Sequence, residues 1–244
     1  MLRKSSVLSY MDYLLNPIGA GSESEVFITT FGVLKLFRSF LKNEILQEKL
    51  EILKYFDKLD FSKKHPEIVV ADELLFQDED FKGYIMAYVS GTSFKDSCYH
   101  ASLEKILYIC EEIEKLLKIL HSYDIYLQDL TEENAIVTKD KVYLIDNDSC
   151  YKGKRKPKKG IAIKYPCPYS KIISKESNLF TLRLITILAL TGELNFIFGK
   201  YYLSFFKRKK LKKKLIALDI PKDLKEKLLQ ALSKKGFKKI DYMF

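Results

Sequence analysis

Residues 125–149 read IYLQDLTEENAIVTKDKVYLIDNDS, and three side chains in this stretch have the types and spacing for chemistry on a metal-bound phosphate. Asp129 is followed five residues later by Asn134, then by the apolar Ala135, Ile136 and Val137, a polar turn at 138–141, a second apolar run and Asp146. Two short strands with a turn between them predict that Asn134 and Asp146 come together. One amide and one carboxylate suit Mg²⁺, which takes few protein ligands and completes its octahedron with water and phosphate oxygens. Asp129, not needed by the metal, would receive a proton from an attacking hydroxyl. The plainer reading of Asp129 and Asn134 alone is an Asx-rich turn, so other parts of the chain must complete the site.

DLTEEN followed by LIDND resembles the protein-kinase catalytic loop H-R-D-L-x-x-x-N and the D-F-G that follows it. The resemblance puts Asp129 in the role of catalytic base and makes Asn134 and Asp146 the Mg²⁺ ligands, with ATP as phosphate donor. It covers residues 18–192 and implies an α+β, bilobal protein-kinase-like fold. The small antiparallel β N-lobe (1–89) would hold a Gly-rich loop, a strand lysine, helix C and a hinge. The reduced, mainly helical C-lobe (90–244) would hold the catalytic loop.

The elements that must position these groups occur in the right order. Ile18-Gly19-Ala20-Gly21-Ser22-Glu23-Ser24-Glu25-Val26 reads as a hairpin whose glycines let backbone N–H groups approach phosphate oxygens. It fits an ordinary hairpin turn equally well. It resembles the kinase G-x-G-x-x-G-x-V at Gly19, Gly21 and Val26, with Ser24 where a third glycine is usual. Residues 31–37 form a β-rich run with one charge, Lys35, fourteen residues after Gly21. A lysine inside a buried strand needs a counter-charge, whereas one on an exposed edge does not. The resemblance makes Lys35 the lysine that holds the ATP phosphates. Residues 40–59 have helical periodicity, and the kinase pattern requires a glutamate there facing Lys35: Glu48 first, then Glu51 or Glu44. Residues 68–76 and 83–89 read as strands, the second ending in Ser90-Gly91. By the resemblance, Met86 stands behind the adenine, the backbones of Ala87 and Val89 bond its edge, and Val26, Val33 and Ile136 sandwich it. Residues 102–122 form a strongly periodic helix that is core and leads to the Asp129 loop.

The 244 residues carry a formal charge of +10. That balance favours anionic partners (nucleotides, acidic proteins, nucleic acid or lipid headgroups) without choosing among them. No run reaches membrane-spanning length, and the start MLRKSSVLSYMDYLL lacks a long apolar segment and a cleavage site, so a cytoplasmic location is expected. The four cysteines have no paired close spacing, so neither a zinc site nor a disulfide framework is indicated, and free thiols are expected. Positive charge concentrates in 152–159 and 207–214. The first run reads as a solvated loop, or as a basic lip attracting an acidic protein substrate. The second follows the aromatic stretch 196–206 and reads as an exposed basic helix, with peripheral contact to an anionic membrane through 196–214 as the other reading. No nucleic-acid-binding motif is present.

Several positions depart from the kinase pattern. Leu127 and Gln128 replace the His and Arg before the catalytic Asp, Thr131 replaces a lysine, and Asn147-Asp148 replaces Phe-Gly. Tyr169 replaces the glutamate that anchors the A-P-E region, and Asn178 replaces the aspartate that begins the central helix. The form I-D-x-D-S is similar to a group of bacterial Ser/Thr protein-kinase-like proteins, and I-D-x-D also occurs in small-molecule kinases of the same fold. The expected function is ATP-dependent phosphoryl transfer to a Ser/Thr hydroxyl of a protein. The alternatives are a small-molecule kinase and a pseudokinase that binds nucleotide or a protein without transfer.

Overall fold

The computed structural model describes residues 2–7, 9–10, 17–157, 163–194 and 205–244. The protein is mixed α+β, and its chain divides into two compact units, Met1–Ser90 with Ile145–Cys150, and Gly91–Leu144 with Tyr151–Phe244. The expected boundary near Val89 therefore has a return: Ile145–Cys150, which carries Asp146, packs with the first unit.

The first unit contains β1 (Arg3–Ser6), β2 (Gly19–Ala20), β3 (Ser24–Thr29), β4 (Gly32–Phe37), α1 (Asn43–Lys58), α2 (Phe61–Lys64), β5 (Ala71–Gln77) and β6 (Asp80–Met86). Its strands form one six-stranded sheet in the order β1-β5-β6-β4-β3-β2. The sheet is mixed, which corrects the expectation of an antiparallel one: β1 runs parallel to β5 at the edge. The segment RKSS has no apolar alternation to mark it as a strand, and its charged residues suit an edge that must not pair further.

Period-2 alternation sorts the sheet into two faces. Phe27, Leu34, Leu75 and Ile85 pack with Tyr10 into an apolar cluster on one face. Across the ladder Gly19 pairs with Val26, Val26 with Lys35, Lys35 with Tyr84, and Val33 with Met86. Directly opposed residues share a face, so Val26, Val33, Lys35, Tyr84 and Met86 belong to the face opposite that cluster. Gly83 lies beside this row, where a Cβ would drive into the Lys35 carbonyl oxygen and the Leu36 Cα. Gly83→Ala is expected to push β4 off β6 and destabilise the protein by about 1–3 kcal/mol, measurable as a lower urea midpoint.

The second unit contains β7 (Thr92–Ser93), α3 (Phe94–Cys98), α4 (Leu103–Ser122), β8 (Ile125–Leu127), β9 (Ala135–Val137), β10 (Val142–Leu144), the end of β11 (Cys150–Lys152), α5 (Lys175–Leu190), α6 (Phe205–Ala217), α7 (Lys222–Leu229) and α8 (Lys234–Phe237). Ser102 caps α4 by accepting from the Lys105 N–H, and Ser174 and Ser177 form a capping box at α5. Fourteen of the sixteen residues of α5 are buried, so it is enclosed on all sides. The helix carries one charge into that interior. Arg183, 1% exposed, donates to the carbonyl oxygens of Lys227 and Asp241 and, at 2.6 Å, to Gln230 Oε1. Of the basic run 207–214, Leu211 is buried, and Lys210 and Lys214 pair with Glu193, so part of it packs. Residues 196–204 of the aromatic stretch, and 158–159 of the first basic run, lie outside the described residues. Among the described residues no helix is long and apolar enough to cross a membrane.

Candidate active site

In the first unit the sequence-predicted Lys35 and Asp146 meet, and Asp148 and Lys49, to which the sequence assigns no site role, join them. Lys35 is 6% exposed, and its Nζ donates to Asp146 Oδ1 and lies 2.9 Å from Asp148 Oδ2. Asp148 is 2% exposed. Its other oxygen, Oδ1, accepts from Lys49 Nζ at 3.0 Å, and Tyr84 OH donates to Oδ2 at 3.2 Å. Lys49, also buried, reaches Glu23 Oε2 of the Gly-rich turn at 3.0 Å. Tyr84 and Phe37 flank the ammonium groups, with Lys49 Nζ 5.4 Å from the Phe37 ring centre.

Local sequence explains this convergence. Lys35 arrives on β4 opposite Tyr84. The turn at 146–149 is pinned by Asn147, whose Nδ2 donates to the Val69 carbonyl oxygen at 2.8 Å. Asp146 sits at φ 63°, ψ 41°, in the left-handed region, which Asp tolerates better than most non-glycine residues but which still carries strain. Lys49 lies on the apolar stripe of α1, with Ile52, Leu53 and Phe56 at helical spacing behind it. The expectation that Glu48 pairs with Lys35 is corrected here. Lys35's ion pairs are with Asp146 and Asp148, and the helix side chain that reaches the cluster is Lys49, which is buried where Glu48 is only half-buried. Glu51, a fallback, is exposed and accepts from Gln47.

The charges stabilise one another against burial. Burial alone would lower the pKa of Lys35, but the carboxylates of Asp146 and Asp148 reverse this and hold it well above the ordinary lysine value. For Lys49, Asp148 and Glu23 likewise outweigh burial and the repulsion of Lys35. Burial would raise the Asp148 pKa, yet Lys35 and Lys49 depress it to about 2. Burial, with Asp148 nearby, raises Tyr84 well above the usual phenol, so its hydroxyl remains a donor. Because Asp148 is depressed on folding, its contribution is complete above the unfolded carboxyl value of about 3.8 and is lost as pH falls through the folded one. The urea midpoint is therefore expected to drop between about pH 4 and 2. An Asp148→Asn variant, compared by circular dichroism, should show a shallower drop.

The other predicted ligands of this unit follow from the sheet. Gly19 pairs with Val26, and Gly21 N–H donates to the Ser24 carbonyl oxygen at 2.9 Å to close the turn. Val33 and Met86 are buried and opposed; Ala87 and Val89 follow β6 outside any strand.

In the second unit the loop after β8 is held by side chains from α5 and from residues 164–165. Asn178 Nδ2 donates to the Leu127 carbonyl oxygen at 2.6 Å, and its Oδ1 accepts from the Leu127 N–H at 3.0 Å. An amide offers both a donor and an acceptor there, which an ionised aspartate cannot. Asp129 Oδ1 accepts from the Lys164 N–H at 3.0 Å, and Asn134 Nδ2 donates to the Asp129 carbonyl oxygen at 3.2 Å. Asp129 and Asn134 thus share one bonded loop, whereas Asp146 belongs to the other unit. Glu132, 1% exposed, accepts from Lys164 Nζ at 2.8 Å and from Tyr165 OH at 2.9 Å. Burial and Glu132 together raise the Tyr165 phenol, while Glu132 and Glu133 raise Lys164 against its burial. Gln128, in place of arginine, accepts from Tyr151 OH, and Tyr169 accepts from Arg208 at 3.2 Å. Ile136 is half-buried on β9, opposite Tyr143 and Ser93.

Beside this loop is a cavity of about 320 Å³ lined by Gln128, Lys156, Ile163, Tyr165, Lys171 and Ile173 among others, with no carboxylate among its described lining residues. Among the described residues no three His, Cys, Asp or Glu side chains gather into a metal site. Asp146 nonetheless fits a Mg²⁺–phosphate group in chemistry: its side chain, a hard oxygen donor, is 36% exposed and stands beside an ammonium suited to phosphate oxygens. No protein-family model matches the chain, and no curated protein matches its sequence significantly.

Proposed function

We propose that the protein has a protein-kinase-like fold and transfers the γ-phosphate of ATP to a Ser/Thr hydroxyl of a protein substrate. The observation that carries this reading is the pairing of Lys35 with Asp146 across 111 residues of sequence. A buried lysine opposite an accessible, backbone-strained aspartate is an arrangement suited to holding phosphate oxygens and a divalent cation. Asp146 would hold Mg²⁺, with Asn134 the second ligand that the kinase resemblance implies, and the metal would neutralise charge on the phosphate oxygens. Lys35 binds phosphate oxygens, and the Gly19–Gly21 turn lets backbone N–H groups approach them. Val26, Val33 and Met86 pack on the adenine, and the Ala87 and Val89 backbones bond its edge. Asp129 orients the acceptor hydroxyl and takes its proton at a carboxylate oxygen, while the Lys164 N–H bond fixes that carboxylate.

The cavity beside Gln128, with lysines and no carboxylate among its described lining residues, favours an acceptor that is not a cationic amine, and the exposed lysines of the same region suit an acidic protein. The test is transfer of radiolabelled γ-phosphate in Mg²⁺ by the wild type and Asp146→Ala in parallel. The acceptors are the protein itself, generic Ser/Thr proteins and aminoglycoside-like amines. Labelling of protein by the wild type alone is the expected result. Labelling of amines alone would make this a small-molecule kinase, and none by either would make it a pseudokinase.

A further inference from the structure

We infer that Asp148, in place of a helix glutamate, is the positioning residue that keeps Lys35 aimed at the nucleotide phosphates, with Lys49 as its counter-cation; this rests on the phosphotransfer reading above. Asp146 has two uses for one carboxylate. In the structure it takes the Lys35 ammonium, and in a Mg²⁺–nucleotide complex it is drawn to the metal. Lys35 is too deeply buried to be left with water as its partner, so it needs a second anion that no ligand competes for. Asp148 meets that need, because it is almost fully enclosed and its two oxygens are divided between Lys35 with Tyr84 on one and Lys49 on the other.

The helix contact is inverted to match. α1 presents the cation Lys49 from its apolar stripe, where a glutamate would face Asp148 with like charge. The carboxylate has moved to the turn after Asp146 and an ammonium has taken the helix position, so each change requires the other. Lys49 also reaches Glu23, so one ammonium joins α1, the 147–149 turn and the Gly-rich turn.

Three variants are titrated calorimetrically with Mg²⁺–ATP and separately with adenosine: Asp148→Asn, Asp148→Asn/Lys49→Met and Lys35→Met. The double variant removes one charge of each sign and so keeps the buried balance if Asp148→Asn alone does not fold. Weakening of Mg²⁺–ATP by roughly tenfold or more, with adenosine affinity unchanged, is expected for each folded Asp148 variant. A merely structural role would weaken both ligands together. An Asp148 variant that binds Mg²⁺–ATP as the wild type does, while Lys35→Met does not, overturns the inference alone. Undiminished binding by Lys35→Met overturns the parent reading as well. In the unsubstituted protein, the through-bond NMR coupling between Lys35 Nζ and Asp148 Cγ should persist on saturation with Mg²⁺–ATP, and its disappearance would also refute the inference.

Discussion

Asp129→Asn is expected to slow γ-phosphate transfer by roughly a hundredfold or more while leaving Mg²⁺–ATP affinity within a few-fold of the wild type. The amide keeps an oxygen to accept the Lys164 N–H, and the Asn134 bond goes to the backbone of residue 129, so the loop geometry survives. What is lost is the carboxylate proposed to accept the hydroxyl proton. The effect therefore falls on kcat, not on nucleotide binding, and single-turnover kinetics with saturating ATP separate the two. A variant that bound ATP poorly would instead place Asp129 among the nucleotide contacts.

The largest effect on stability is expected at Arg183. Its guanidinium is buried within α5, and burial lowers its pKa to about 10. Truncation to methionine would leave the Asp241 carbonyl oxygen and the Gln230 amide oxygen without this donor and the Lys227 carbonyl oxygen with only the Gln230 N–H. Each unsatisfied buried acceptor costs about 1–3 kcal/mol, so Arg183→Met should destabilise the protein by about 3–5 kcal/mol. Urea unfolding followed by circular dichroism measures it. A loss below about 1 kcal/mol would mean that water or a rearranged tail replaces the guanidinium.

These two residues mark where the sequence is legible and where it is not. The Asp129–Asn134 spacing, the lysine within an apolar strand and the strict periodicity of 102–122 are local patterns, and local hydrogen bonding and burial decide them. The Lys35–Asp146 pairing is long-range, and only the order of the motifs points to the two residues sharing a site. Asp148 stands in the I-D-x-D-S form, but it and Lys49, each taken alone, read as ordinary surface charges. The available signal was Lys49's place on the stripe shared with Ile52 and Phe56, where a lysine demands a buried anion. Arg183 offered a similar signal as a lone charge inside an apolar helix, but its partners are backbone carbonyls, which no side-chain pattern announces. β1 could not be read from RKSS, because its pairing with β5 is set by the edge it covers and not by its own alternation.

The central claim is that Lys35 and Asp146 together receive the phosphates of Mg²⁺–ATP. Isothermal titration of the wild type with ATP, in Mg²⁺ and then in EDTA, tests it most directly when Lys35→Met is run beside it. Saturable binding that weakens without Mg²⁺, and by roughly tenfold or more in Lys35→Met, is the predicted result. No binding by the wild type, or equal binding by wild type and variant, would contradict it.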